Sequence, residues 1–117
     1  MQQLNIKGEC YLSLVAKMST MQRFVIVHSI LYYHKNTSVI SDVCFDKVSR
    51  ELVELKNENP NDYKQTDYYY CMKEFDGTTG FDLYDKLSMS DKMYLTCIAD
   101  NVLKQYKEKR QNGKRSS

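Results

Sequence analysis

Phe45, Val48, Leu52 and Leu55 stand at i, i+3, i+7 and i+10, a stripe along one face of a helix. Lys47, Arg50, Glu51, Glu54 and Lys56 supply its wet side. Ser41 offers a hydroxyl to cap the first turn, and Asp42 places an acid where it suits the positive end of the helix dipole. Asn57, Asn59 and Pro60 provide the stop. A helix over about 42–57 follows. It demands a partner, because a helix of this length gains most of its stability from packing its apolar face.

The preceding residues supply one. Phe24, Val27, Ile30 and Leu31 recur at helical spacing, and Val25, Ile26 and Tyr32 widen the face enough to imply substantial burial. Ser19-Thr20-Met21-Gln22 has the Ser-x-x-Gln form of a capping box, which sets the start of a helix near residue 20 and its end near 35. Residues 1–18, with Gly8 interrupting their apolar pattern, then form a short strand or an irregular extension. Asn36-Thr37-Ser38 are turn formers that bring the chain to Ser41. Near the other terminus, Ser88 or Ser90 caps a helix over about 90–108, with Met93, Ile98, Val102 and Tyr106 on its apolar face and Leu95 and Leu103 widening it. Residues 60–80 read as loops with one short helix around 62–71, and Phe81–Leu87 as two helical turns. Tyr68, Tyr69 and Tyr70 cannot share one direction, so one ring is expected to meet solvent or a partner. The expected fold is all-α: a small antiparallel bundle of four to five helices in one domain, residues 1–108, followed by a basic flexible tail, 109–117. A chain of 117 residues is long enough for one core without metals or disulfides.

Several function classes lose support at this point. The net charge of +2 is too small to imply nucleic acid by itself. Residues 104–115 hold six Lys or Arg against one Glu, so nucleic-acid contact through the basic tail is the weakest of the partner expectations. Cys10, Cys44, Cys71 and Cys97 form no CxxC, and His28 and His34 make no zinc spacing with them. Four reduced thiols are expected, with Cys44 and Cys97 packed in helices. No apolar run approaches the roughly 18 residues of a membrane span, and MQQLNIKGEC lacks the plan of a signal peptide, so a cytoplasmic protein with no membrane partner is expected. No Ser or Cys has a convincing local base, and GTTG at 77–80 is too short for a phosphate loop, so its glycines read as turn residues. No catalytic residue and no metal site are assigned.

One polar pattern remains. Asp42 and Asp46 lie four apart on one helix face, where their charges repel. A cationic ligand group or a basic neighbour would relieve them; the plainer reading has both facing water.

Tyr32-Tyr33, a polar link, Ile40-Ser41-Asp42, Phe45-Asp46 and Arg50-Glu51-Leu52-x-x-Leu55 together resemble the small N-terminal helical domain of bacterial NAD-dependent DNA ligases. The resemblance covers about residues 24–60. Phe45 stands where the family has Tyr, His34 where it has Val, and the link lacks the family's acid and proline. In those ligases two helices close over the nicotinamide mononucleotide (NMN) half of NAD. The resemblance implies that Tyr32, Tyr33, Asp42, Phe45 and Asp46 occupy nicotinamide-nucleotide contact positions. No lysine here stands in the family's Lys-x-Asp-Gly nucleophile motif, so no enzyme is expected. Residues 75–84, FDGTTGFDLY, resemble a segment of short ligase-related phage proteins. The leading expectation is therefore a non-catalytic phage-type protein that binds a protein partner, inhibiting a host factor or defence nuclease. The alternative is a module that binds or senses NMN or NAD weakly, and the third is a nucleic-acid-associated accessory protein.

Overall fold

The computed structural model describes residues 2–77 and 80–116, with side chains described for 14–77 and 80–110. Its longest element is α1, Gln2–His34. The helix does not begin at the expected capping box. Ser19 and Gln22 are buried within it, and their side chains turn outward from their own backbone to a distant loop. The sequence pattern of a cap and that of a buried polar pair are identical, Ser and Gln three residues apart; what differs is the partner. The strand or irregular extension expected for residues 1–18 is replaced by helical backbone from Gln2 onward, and Gly8 is carried inside a helix at a cost of about 1 kcal/mol relative to Ala.

The second helix, α2, spans Asp42–Glu58 and follows the expected boundaries. The Cys44 N–H donates to Ser41 Oγ at 3.1 Å, and the Asn59 side chain donates to the Leu55 carbonyl at 3.1 Å. Leu52 is fully buried, with Phe45, Val48 and Leu55 packed against the core at its edge. Ser49 is buried as well, on the side of the stripe that faces α1 and the 75–80 segment.

Three single turns connect α2 to the last helix: α3, Pro60–Tyr63; α4, Tyr69–Met72; and α5, Leu83–Lys86. Pro60 opens α3 at the position where a missing N–H costs nothing. The buried Tyr63 hydroxyl donates to the Met72 carbonyl at 2.7 Å, tying α3 to α4. The one short helix expected near 62–71 is thus two turns separated by a bend, and the two turns expected over 81–87 reduce to one. In the tyrosine triplet Tyr68 is buried, Tyr69 is half-buried and Tyr70 is exposed.

The last helix, α6, spans Met89–Ser116. Its buried face is Leu95 and Ala99, flanked by Ile98, Val102 and Leu103, whereas Met93 is 66% exposed. Met93 lies five residues before Ile98, about 140° around the helix, so it cannot share that face. Helical backbone runs on through the basic segment that was expected to begin a tail after residue 108. The core joins α1 (Val25, Ile26, Ile30, Leu31) to α2 through Leu52, to the connecting turns through Tyr63 and Met72, and to α6 through Leu95. The fold is all-α, and the described residues include no strand. No described helix is long and apolar enough to cross a membrane.

Candidate functional site

The end of α1 shapes the site. Leu31 is buried, but Tyr32 and Tyr33 project from the last turn at 55% and 38% exposure. Asn36 then takes a left-handed φ of +52°, which Asn tolerates better than most residues. The N–H groups of Lys35 and Thr37 close on the carbonyls of Ile30 and Leu31 at 3.1 and 2.9 Å. Thr37 Oγ1 donates to the Lys35 carbonyl and Ser38 Oγ to the Ile40 carbonyl, which holds the 36–41 link close. That link returns the chain to Ser41, whose cap starts α2 beside the tyrosines.

Between these two helix ends lies a cavity of about 190 Å³. Tyr32, Tyr33, Asp42, Phe45 and Asp46 all line it. Sequence reasoning placed these five on one concave surface, and the structure brings them together. The Tyr32 and Tyr33 rings meet edge to face, with centroids 4.9 Å apart and an interplanar angle of 83°. Phe81 continues the series, edge to face with Tyr33 at 5.3 Å and 88°. Two carboxylates therefore face a wall of crossed aromatic rings. Among the described lining residues there is no Lys or Arg.

Three lining residues escaped sequence reasoning. His28, one turn before Tyr32, is half-buried with its ring 4.4 Å from that of Phe24, and burial holds its pKa below the usual histidine value. The imidazole is therefore neutral near pH 7. Ser29 is buried and donates to the Val25 carbonyl at 2.7 Å. Gly80 comes from far along the chain and lies directly on α1: a Cβ there would stand 2.0 Å from Ser29 Oγ and 2.9 Å from Ser29 Cβ. The glycine is required for that approach, whereas Gly77, at φ +87°, is the turn residue proper. Helical spacing from Tyr32 was a usable signal for His28 and Ser29. Nothing local announces Gly80. His34 lies outside the cavity, with its ring against Tyr84 at 4.4 Å.

A second polar cluster sits at the opposite part of α1 and is closed. Gln22 Nε2 donates to Thr66 Oγ1 at 2.8 Å, and Gln22 Oε1 accepts from the Tyr68 N–H at 3.1 Å. Ser19 Oγ accepts from the Asp67 N–H at 3.0 Å. The Thr66 hydroxyl donates in turn to the Tyr63 carbonyl at 2.6 Å. Every polar arm of Gln22 is engaged, so this cluster offers a ligand nothing.

The cysteines divide differently from expectation. Cys44 and Cys97 are exposed, on the wet sides of α2 and α6, and only Cys71 of the described three is buried. Burial pushes the Cys71 thiol up to about 11, which keeps it protonated and unreactive. The described residues contain no group of three or more potential metal ligands.

No protein family, curated protein or solved structure matches the chain.

Proposed function

We propose that the protein is a non-catalytic binding module whose α1–α2 cleft takes the nicotinamide end of NMN or NAD. One observation carries the reading: Tyr32, Tyr33, Asp42, Phe45 and Asp46, the positions singled out by the ligase resemblance, share a single cavity. The chemistry supports it. Aromatic faces attract a pyridinium, and carboxylates accept from ribose hydroxyls while balancing the ring's charge. The size limits it. At about 190 Å³ the cavity is smaller than the roughly 300–1,000 Å³ of a site that engulfs a drug-sized ligand. A nicotinamide ring with part of its ribose fits this scale, and the rest of a dinucleotide would lie in solvent. Binding is therefore weak, with a Kd of about 100 μM or higher, roughly 5 kcal/mol. An NMR titration with NMN tests this: shifts should concentrate on the five residues and on Gly80. Shifts scattered over other surfaces would remove the reading.

A second reading, a protein partner such as a host factor, has its own support in the exposed Met89, Met93 and Tyr94 on α6. Paired Met93→Lys and Tyr94→Lys substitutions should abolish such an interaction while leaving the NMN titration unchanged. Retained binding of the partner by that variant would exclude this surface.

A further inference from the structure

The walls of the α1–α2 cleft carry information about the ligand's charge. Three aromatic side chains, Tyr32, Tyr33 and Phe45, supply carbon surface with a negative face. Asp42 and Asp46 add two carboxylates one helical turn apart. Among the described lining residues no lysine or arginine offsets them, and the ionisable side chain at the base, His28, is desolvated. The nearest described ion pair of α1 is Lys35 with Asp100 at 3.1 Å, which commits that ammonium to α6. A phosphate, a carboxylate or a reduced, uncharged nicotinamide ring would meet nothing in this cavity that repays its desolvation. A cation whose charge is spread over carbon would meet aromatic faces and two carboxylates together. It would also relieve the repulsion that the empty cleft retains.

We infer that the cleft selects its ligand by positive charge, accepting an organic monocation of pyridinium or alkylammonium type and rejecting neutral and anionic counterparts of the same shape. This rests on the reading of the cleft as a binding site, but not on the nucleotide: ribose and phosphate become accessory, and the oxidised ring is favoured over the reduced one because only the former is charged. Recognition of quaternary ammonium groups by aromatic rings is a known use of the same physics.

The test titrates the full chain, followed by NMR, with 1-methylnicotinamide, which is cationic, and with nicotinamide, its neutral near-isostere. Nicotinate serves as the anion and choline as the alkylammonium. The cation 1-methylnicotinamide should bind at least about tenfold more tightly than nicotinamide, a difference of about 1.4 kcal/mol, and nicotinate should not bind. Choline binding as well would support the inference and assign the broader alkylammonium class; choline failing while the pyridinium binds would support it and restrict the ligand to flat cations. Affinity should fall as salt is raised from 50 to 500 mM, since the cleft is open to screening. Equal binding of 1-methylnicotinamide and nicotinamide would overturn charge selection while leaving the site. NMN binding without 1-methylnicotinamide would also overturn it, placing recognition on ribose and phosphate. If none of the four compounds nor NMN binds, the site itself falls. Asp46→Asn keeps the side-chain shape at an exposed position and should weaken the cation about tenfold while leaving the melting temperature unchanged or raised. Unchanged affinity in that variant, and in Asp42→Asn, would overturn the role of the carboxylates.

Discussion

The two polar stretches of α1 make an instructive pair. Around Ser19 and Gln22, buried side chains reach the backbone and hydroxyl groups of residues 66–68, and every arm of Gln22 has a partner. Three turns further on, His28, Tyr32 and Tyr33 border a cavity faced by two carboxylates. Both stretches break the apolar pattern of the helix, and both depend on residues elsewhere in the chain. The first is saturated and dry, so its hydrogen bonds hold the fold together. The second leaves charge and aromatic surface uncommitted, which is the condition for binding something else. Polar residues on a buried helix therefore do not mark function by themselves; what separates the two is whether the protein itself completes their partners.

The sharpest way to break this contrast begins beneath both regions. Leu52→Ala removes the fully buried anchor of α2 and should cost about 2–5 kcal/mol in denaturant unfolding. It should loosen the core and the cleft together. A change below about half a kcal/mol would mean that α2 is not packed through this residue. Next, Gln22→Leu keeps the bulk but strands the Tyr68 N–H in the core, a loss of about 2 kcal/mol. Ligand affinity should be unchanged, and an equal loss of affinity would merge the two regions that the comparison separates. Gly80→Ala attacks the open end: with a Cβ 2.9 Å from that of Ser29, overpacking should cost about 1.5 kcal/mol and alter the cleft. Here binding should suffer more than stability, the reverse of Gln22→Leu.

The smallest effect is one of pH. Burial lowers the His28 pKa below its ordinary 6.5, so the unfolded chain takes up this proton before the folded one does. The contribution is complete above about pH 6.5 and is lost as the pH falls through the lower, folded value. The melting temperature should decline from pH 7 to pH 5 less steeply in His28→Gln than in the unmodified protein. Parallel declines in the two proteins would assign the acid sensitivity to other groups.

Legibility in the sequence followed distance along the chain. The stripe Phe45, Val48, Leu52, Leu55 declared α2 because periodicity, cap and stop agreed within twenty residues. The five cleft residues were legible for the same reason: the 36–41 link is short, so residues near in sequence are near in space. Ser19 and Gln22 were misread because the groups they bind lie more than forty residues away, and a local cap satisfies the same pattern. Gly80 was hidden by the same distance. Met93 was placed on the wrong face because a spacing of roughly four tolerates a drift that the helix does not. The region 60–87 resisted division into elements because its single turns are held by tertiary bonds such as Tyr63 to Met72, with too few residues in each to show a period.

The Gln22–Thr66 bond joins residues 44 apart, whereas the cleft is built by a short hairpin of helices. Closing the larger loop costs chain entropy that is recovered only when its contacts form, so the two regions are expected to assemble at different times. The α1–α2 hairpin belongs to the early, local part of folding, and the buried amide latch to the late part. Gln22→Leu should then act on the unfolding rate and leave the folding rate nearly as it was, the signature of an interaction absent from the transition state; a slowed folding limb in its chevron would reverse that order. The latch would thus set how long the native state survives, while the hairpin carrying the cleft would set how quickly that state is reached.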